Sequence, residues 1–297
     1  MNQTNSLHER RRAQAQLNFW VTNRIPRRWF TLAMGRLSKV RHPWIAKPCI
    51  ALWQRFSDLD LSEAREQQFA SIHACFVRQL KPGLRPFDNN PDLLCSPCDA
   101  IVGAQGIIGQ GELLQTKGMV YTVQELLQSQ IDAQACEGYH YVTLRLTASM
   151  YHHFHAPHDL NVKQLRYIHG DVWNVNPPTL KRISSLFTKN ERAVIELSLS
   201  QTGQTAWVIP VAAVLVASMR FTFSDLHLHL RYRGPTQTEV RATLTKGQHM
   251  GWFEHGSTII CLIPPTWQWV GPDTDQRIKA GQAIYRKTDV KPCRVSH

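Results

Sequence analysis

Short apolar runs rich in β-branched residues recur along the chain from residue 101 onward. Each run is bounded by Gly, Pro or polar residues, which is the pattern of short strands separated by turns. A helix-like segment at residues 123–130 interrupts them. The runs occupy residues 101–110, 139–147, 193–199, 206–216, 226–232 and 258–263.

Helical spacing of apolar residues also occurs before residue 81. One stripe consists of Phe30, Ala33, Met34 and Leu37, and a second consists of Ile45, Cys49, Leu52, Trp53 and Phe56. Residues 62–80 repeat the spacing and end before the turn-rich string K-P-G-L-R-P-F-D. We therefore predict an α+β fold, with N-terminal amphipathic helices on a β-rich, mainly antiparallel body.

The positive charge of the chain is concentrated at the same end. The formal net charge is +12, and residues 1–57 hold eleven Lys or Arg and one acid, Glu9, so this segment carries +10 and the other 240 residues carry +2. Four of the nine tryptophans lie there as well: Trp20, Trp29, Trp44 and Trp53. Basic amphipathic helices with aromatic edges are typical of the lipid interface. We expect an anionic membrane as partner and no nucleic acid, because no nucleic-acid motif is present; packing of the stripes on the protein's own core is the alternative.

Composition narrows the class of protein further. A hydrophobic content of 43% with 16 Gly and 16 Pro describes an ordinary globular chain. Seven cysteines, an odd number, without a secretory signal favour a reducing compartment over a disulfide framework. The longest apolar run, which starts at Ala206, contains Pro210 and is too short to span a bilayer. We expect a peripheral protein at the cytoplasmic face of the cell membrane, with no transmembrane helix.

Three histidines within four positions form the densest group of reactive side chains. His152, His153 and His155 follow a predicted strand, and a helical turn there would bring His152 and His155 to one face, as we expect. Histidine can move protons near neutral pH, so the cluster has two interpretations: a catalytic role or a polar surface turn. A zinc site that adds Cys95 and Cys98 is a weaker alternative, because about fifty residues separate the two pairs. No metal is therefore predicted.

Two acids and a serine complete the candidate residues. Asp88 in R-P-F-D and Asp99 in S-P-C-D-A follow proline-containing turns, where each can form the turn or orient a histidine. Ser257 lies in W-F-E-H-G-S-T-I, which lacks the G-x-S-x-G elbow of many serine hydrolases. A hydrolase with a free serine in an uncut chain and a metal-binding, membrane-attached interaction protein both remain alternatives.

Six strings of residues between positions 76 and 265 together resemble the phosphatidylserine decarboxylase family, in the family's order and at plausible spacing. The Y-H-x-x-H and K-G-Q-x-M-G-x-F-x-x-G-S-T strings are each quite specific. The six are R-P-F-D, K-G-M-V-Y-T-V-Q-E-L-L, L-T-A-S-M-Y-H-H-F-H-A-P, G-D-V-W-N-V-N-P, N-E-R and K-G-Q-H-M-G-W-F-E-H-G-S-T.

The resemblance implies that Ser257 becomes the cofactor. Its hydroxyl would attack the carbonyl of Gly256 to form an ester, β-elimination would cleave the ester, and the dehydroalanine would hydrolyse to a pyruvoyl group and ammonia. His155 matches the family's base and Asp88 matches the acid that orients it, while His152 matches a residue that assists decarboxylation. The pyruvoyl group would form a Schiff base with phosphatidylserine, which loses carbon dioxide to give phosphatidylethanolamine.

The same resemblance implies an organisation of the chain. Residues 1–60 would form a membrane-associating helical arm, and residues 61–297 would form the catalytic domain, cut between Gly256 and Ser257. The two products, 1–256 and 257–297, would form a heterodimer, with further homo-oligomerisation left open. Four positions depart from the family pattern: His255 stands where Leu is usual, Phe87 stands where Ile is commoner, and Ala212 and Ala217 replace glycines. His153 and Asp99 have no assigned role.

Overall fold

The computed structural model describes residues 26–116, 118–128, 133–214, 218–254 and 257–288. Its helices are α1 (Arg27–Leu37), α2 (Pro43–Phe56), α3 (Ile72–Phe76), α4 (Val123–Leu127), α5 (Pro177–Leu180) and α6 (Leu186–Lys189), with a 3-10 turn at Ala133–Cys136. Its strands are β1 (Leu93–Cys95), β2 (Ala100–Ile107), β3 (Glu112–Thr116), β4 (Met119–Thr122), β5 (His140–Arg145), β6 (His153–His155), β7 (Leu160–Ile168), β8 (Arg192–Leu199), β9 (Thr205–Ala212), β10 (Ser218–Phe221), β11 (His227–His229), β12 (Gln237–Leu244), β13 (His249–Phe253), β14 (Ser257–Ile263), β15 (Trp267–Trp269), β16 (Arg277–Ile278) and β17 (Ala283–Lys287).

An eight-stranded sheet forms the centre of the body. Its order is β12-β7-β8-β9-β14-β5-β2-β16, and each neighbouring pair is antiparallel. Apolar side chains cover both faces, because one buried cluster includes Val208 and Ile259 while another includes Ile209 and Ile260. Successive residues of a strand point to opposite faces, which accounts for this division. The predicted α+β fold with a mainly antiparallel body is confirmed.

A second sheet, of four strands, holds the histidine-rich string. Its order is β11-β10-β13-β6, and β13 leads after three residues into β14 of the large sheet. Met219, Met250 and Phe253 from this sheet share a buried cluster with residues of the large sheet. The connection between the two sheets consists of Glu254, His255 and Gly256, and Ser257 is the first residue of β14.

Helix α2 presents most of its apolar stripe outward, whereas Phe30, Ala33 and Met34 of the α1 stripe are half-buried. Ile45, Leu52 and Phe56 of the predicted α2 stripe are exposed, as is Trp44, whose side chain is 85% accessible. The opposite face of α2 packs inward through Ile50, which joins a small apolar cluster. Most of the α2 stripe therefore lies outside the protein's own core, while Trp53 of the stripe packs against that cluster.

One sequence expectation is wrong in its extent. Helical spacing over residues 62–80 becomes a helix only at Ile72–Phe76, whose first turn is capped by the Ser71 side chain. Residues before it pair with the segment that follows the helix: Arg65 N donates to Gln79 O and Lys81 N donates to Glu63 O. These distant backbone bonds satisfy the groups that a longer helix would have used internally.

The remaining predicted elements follow the sequence closely. The segment at 123–130 forms α4, where Thr122 and Glu125 make a reciprocal capping box and Gln128 ends the helix with a positive φ. Each of the six apolar runs contains a strand. In the described part of the chain, the helices are too short or too polar to cross a membrane.

Candidate active site

Strand β6 determines which histidines lie together. It pairs with β13 so that His153 is opposite Trp252 and His155 is opposite His249. Because β6 is a strand, His153 and His155 share a face, and the expected helical turn that would align His152 with His155 is absent. That expectation was wrong, because backbone pairing with β13 keeps the chain extended here.

The buried His153 and the half-buried His249 form a pair of neutral rings. His153 Nδ1 lies 2.8 Å from His249 Nε2, and His153 Nε2 lies 3.0 Å from the Val77 carbonyl oxygen. A carbonyl only accepts, so Nε2 of His153 carries its proton and Nδ1 accepts from His249. Burial lowers the pKa of His153 to about 3 and that of His249 to about 4. Sequence reasoning missed His249, for which the histidine in K-G-Q-H-M-G was the available signal.

One ring nitrogen of His155, Nε2, is placed to act as a base. Its Nδ1 lies 2.9 Å from the Gly247 carbonyl oxygen, so this nitrogen donates and Nε2 must accept. The Tyr151 hydroxyl, 3.1 Å away, donates to Nε2. Burial lowers the pKa of His155, so the imidazole is neutral at physiological pH and Nε2 can take a proton. A cavity of about 270 Å³ opens beside these rings and beside Lys81.

Asp88 is not bonded to His155 among the described contacts. Its exposed carboxylate accepts from the backbone N of Asn90 at 2.8 Å, and both ring nitrogens of His155 have other partners. Phe87, the residue before Asp88, has its ring centroid 5.6 Å from that of His155. The structure thus brings Asp88 into the neighbourhood of His155 without forming the expected pair.

Asp99 forms a network of hydrogen bonds near this site. Its carboxylate accepts from Arg85 at 2.8 and 2.5 Å and from Ala280 N at 2.9 Å. Arg85 also bonds Glu63 at 2.5 Å, so one guanidinium holds two carboxylates. Asp99 therefore ties the R-P-F-D turn to the C-terminal part of the chain.

His152 lies in different surroundings from His155. Its side chain is fully buried, and its ring centroid lies 3.8 Å from that of Phe76 in α3. Its carbonyl accepts from Phe253 N at 3.0 Å, at the end of β13. His152 is thus fixed beside the strand end that leads to residue 257.

The backbone of Ser257 begins the central strand β14. It is paired with Ala212 of β9, which is fully buried, so the alanine that departs from the family pattern lies directly across from Ser257. Two further departures, His255 and Ala217, and the Gly256 side of the predicted cut lie outside the described residues.

Glu254 sits at the centre of a charged cluster just before this point. Its carboxylate lies 3.4 Å from Lys39, 3.4 Å from His227, 3.7 Å from Arg220 and 4.0 Å from His73. Burial alone would raise the pKa of Glu254, but bonds from His227 and Ser218 and the charge of Lys39 outweigh it and hold the pKa well below its usual range. Glu254 is therefore ionised and anchors the end of β13 to the residues after α1.

The described residues show no group of three or more His, Cys, Asp or Glu side chains placed to hold a metal ion. Cys95 and Cys98, from the alternative zinc set, are fully buried thiols. Burial raises the pKa of both, which disfavours the thiolate form that binds metal.

We expect the fold to lose stability as the pH falls from about 6.5 towards 4. Because the pKa values of His153 and His249 are depressed in the fold, the unfolded chain binds protons at a higher pH than the folded chain does. The contribution of the two histidines to the free energy of unfolding is therefore complete above the ordinary pKa of 6.5 and is lost as the pH falls below it. His249→Gln keeps a donor for His153, so it should reduce the proton uptake on unfolding by about one. Denaturant unfolding at pH 7 and pH 5 measures this uptake, with the exposed His42→Gln as control. Equal pH dependence in wild type and His249→Gln would contradict the assignment.

Comparison with known proteins places these features in context. Residues 72–286 match the family model described as phosphatidylserine decarboxylase. A phosphatidylserine decarboxylase proenzyme of Aliivibrio salmonicida is 32% identical over 257 residues, covering 81% of this chain and 86% of the relative. Proteins with the same name from Shewanella baltica strain OS155 and Helicobacter pylori are 30% and 33% identical, covering 90% and 78% of this chain and 95% and 87% of the relatives.

Proposed function

Since this chain belongs to the phosphatidylserine decarboxylase family, we propose that it is a proenzyme that cuts itself between Gly256 and Ser257 and converts phosphatidylserine to phosphatidylethanolamine. The observation that carries the proposal is the position of the G-S-T string. Ser257 starts the central strand β14, three residues after β13, whose partner β6 bears His153 and His155. The scissile bond thus lies in a short connection anchored at both ends.

Self-cleavage uses groups that the chain itself provides. Ser257 Oγ attacks the carbonyl carbon of Gly256 as a base takes its proton; the C–N bond then breaks, leaving an ester and the free amine of Ser257. Loss of the Ser257 Cα proton expels the Gly256 carboxylate, and water converts the dehydroalanine to a pyruvoyl group with release of ammonia. We assign the base to His155, whose Nε2 is the accepting nitrogen.

We propose that Asp88 orients His155 during this step. Its carboxylate would have to leave Asn90 N, and His155 Nδ1 would exchange the Gly247 carbonyl for it. The nearby ring of Phe87 keeps the two residues within one local rearrangement. A carboxylate on Nδ1–H would stabilise the protonated ring, as in a serine-protease triad.

The residues around Ser257 suit a pyruvoyl group at the start of β14. This strand is hydrogen-bonded to β9 on one side and β5 on the other, so a new N-terminus at residue 257 would stay in register after the cut. When formed, the pyruvoyl carbonyl supplies an electron sink for loss of carbon dioxide. His152, buried at the end of β13, is the residue we assign to proton transfer in that half of the reaction.

The sheet pairings support a heterodimer of the two products. Residues 257–288 contribute β14 to the middle of the large sheet, β16 to its edge and β17 to a sheet with β1. Removing them would expose both flanking strands of β14. We therefore propose that chains 1–256 and 257–297 remain associated without a covalent link.

The outward stripe of α2 supports a peripheral location on an anionic membrane. Trp44, Leu52 and Phe56 expose large apolar surfaces, and Lys47 and Arg55 on the same helix are exposed cations. Aromatic residues beside cations are typical of helices that lie in the lipid interface. The cysteines within the described part of the chain are free thiols, which suits the cytoplasmic face.

Two other cations of the arm bind the body of the protein. Arg27 pairs with Asp171 at 2.5 Å, and Arg28 donates to the carbonyl oxygens of Gly170 and Leu230. Charge reversal of these arginines would therefore disturb the fold as well as any lipid contact. Residues 1–60 and 61–297 remain our proposed division into arm and catalytic domain, with α1 docked on the latter.

We expect the double substitution Trp44→Ser with Phe56→Ser to lower vesicle binding at least tenfold, since burying one such aromatic is worth about 1.5–3 kcal/mol. Sedimentation with vesicles containing anionic phosphatidylglycerol measures the bound fraction. Binding should also weaken between about 0.1 and 1 M salt, because the screening length falls from about 10 to 3 Å. Ile107→Ser, an exposed apolar residue of the body, is the matched control. Unchanged binding by the double variant would contradict the proposed surface.

The proposed function is tested on the wild-type protein by intact mass, a denaturing gel and release of carbon dioxide from phosphatidylserine. Two chains of residues 1–256 and 257–297, with a ketone-reactive N-terminus on the small one, are expected. Recovery of an active enzyme with an uncut chain would overturn the proposal.

A further inference from the structure

The N-E-R string is a set of buried polar residues at the start of β8. Arg192 donates to the carbonyl oxygens of Leu126 and Glu125 in α4, and to that of Thr188 in α6. Glu191 accepts a hydrogen bond from the Tyr167 hydroxyl. Both residues fasten neighbouring elements to each other, which leaves the role of Asn190 to be explained.

Asn190 joins two separate segments through one side chain. Its Oδ1 accepts from Trp173 N at 2.7 Å, while its Nδ2 donates to the carbonyl oxygens of Trp173 at 2.9 Å and Ala212 at 2.8 Å. The residue is fully buried, so these bonds form without competition from water. Asn190 therefore connects the G-D-V-W string to the end of β9.

The bond to Ala212 extends the sheet ladder beyond the start of β8. Ala212 N donates to the Glu191 carbonyl at 2.8 Å, and in a strand the N–H and C=O of one residue point to the same side. Both backbone groups of Ala212 thus face the β8 side, where β8 itself begins only at Arg192. The Asn190 amide supplies the bond that a further strand residue would have made.

Ala212 is the residue paired with Ser257. Because its polar groups are fixed on one side by Glu191 and Asn190, the end of β9 is held extended where β14 begins. Without Asn190 the Ala212 carbonyl would be buried without that donor, which is unfavourable and promotes fraying of the strand end.

The G-D-V-W string packs against the backbone on either side of Asn190. Asp171 N donates to Lys189 O and Glu191 N donates to Asp171 O, both at 2.8 Å. A Cβ on Gly170 would lie 2.5 Å from Lys189 O, so only glycine allows this approach. Arg27 of α1 then pairs with Asp171 and places its guanidinium 3.5 Å from the ring centroid of Trp173.

We propose that Asp171, Trp173, Asn190 and Ala212 form a clasp that positions Ser257 for self-cleavage, with Asn190 as the positioning residue. This inference rests on the proposed function. Attack on the Gly256 carbonyl requires the Ser257 hydroxyl at bonding distance, and a misplacement of about 1 Å can cost about a hundredfold in rate. The clasp acts on the backbone opposite Ser257 and donates no group to the reaction.

The test compares Asn190→Asp with wild type and with Asn176→Asp. Asn190→Asp keeps the acceptor for Trp173 N but replaces both Nδ2 bonds with a carboxylate oxygen facing two carbonyls. Asn176, in the G-D-V-W-N-V-N-P string, only accepts, from Thr179 N and Thr179 Oγ1, so its conversion to Asp loses no bond. Full-length chains made by cell-free translation are followed on denaturing gels at pH 8 and pH 5.5.

We expect Asn190→Asp to be cut at least tenfold more slowly than wild type at pH 8, and Asn176→Asp to be cut at the wild-type rate. At pH 5.5 the rate of Asn190→Asp relative to wild type should rise, because a protonated Asp regains one donor for Ala212 O. Asp171, Glu191 and Arg192, the titratable neighbours of Asn190, are the same in both proteins, so the ratio reports the new carboxyl group at position 190 together with its coupling to them.

Each outcome has a separate meaning. An uncut wild-type chain would overturn the proposed function itself. If the wild-type chain is cut and a folded Asn190→Asp chain is cut equally fast, the clasp alone is overturned. The clasp is also overturned if Asn190→Asp is slowed by the same factor at both pH values. If Asn190→Asp shows no cooperative thermal unfolding, Asp171→Asn decides: it keeps the acceptor for Val172 N and removes the charge facing Arg27. Cutting several-fold slower than wild type supports the clasp, and the wild-type rate overturns it.

Discussion

Ser257→Ala should leave a single chain of 297 residues that releases no carbon dioxide from phosphatidylserine. Alanine has no oxygen to attack Gly256, so neither the ester nor the pyruvoyl group can form. The loss should be complete in both respects, because one atom serves cleavage and later becomes part of the cofactor. Intact mass and a denaturing gel measure cleavage, and trapped carbon dioxide measures turnover.

Ser198→Ala is the matched control for this substitution. Ser198 also lies in a strand of the large sheet, and its hydroxyl donates only to the Gly203 carbonyl. This variant should be cut and should turn over like wild type. Decarboxylation by uncut Ser257→Ala would exclude a pyruvoyl mechanism.

His155→Ala and His152→Ala should fail at different stages. With His155 assigned to deprotonate Ser257, its removal should leave mostly uncut precursor. His152→Ala should still be cut, yet release carbon dioxide about a hundred- to ten-thousand-fold more slowly, the usual worth of general acid–base assistance. Their separate surroundings, the Tyr151 hydroxyl for one ring and Phe76 for the other, are consistent with separate roles.

Cleavage on gels and carbon dioxide release are to be measured on each variant separately. The exposed His169→Ala controls for loss of a histidine as such, and it should affect neither readout. Asp88→Ala should resemble His155→Ala if the carboxylate turns to His155 as proposed. A cut His155→Ala beside an uncut His152→Ala would reverse the two assignments.

The sequence by itself determined most of the elements and the family. Alternation and β-branched runs are local properties, so each apolar run from residue 101 onward could be recognised as a strand without its partners. The α2 stripe at Ile45, Leu52 and Phe56 was equally visible from its spacing. The G-S-T string and the Y-H-H-F-H string carried the resemblance to the family, and the roles of their residues in self-cleavage stay predictions. Their reactive groups follow from the residue types alone.

Only the tertiary structure decided which side chains meet. His153 contacts His249 across 96 positions, a pairing set by the register of β6 on β13 that no local pattern encodes. The same register replaced the expected helical turn with a strand and separated His152 from His155. Residues 62–80 lost most of their expected helix to backbone bonds with the segment after α3.

The docking of the arm was also beyond the reach of spacing rules. Charge counting treated Arg27 and Arg28 as part of one basic arm, yet both are bound to the loop that contains Gly170 and Asp171. Asn190 could be read as an ordinary polar residue until the fold placed its amide between Trp173 and Ala212. Hydrogen bonds between distant segments depend on distance and orientation after folding, and local sequence spacing specifies neither.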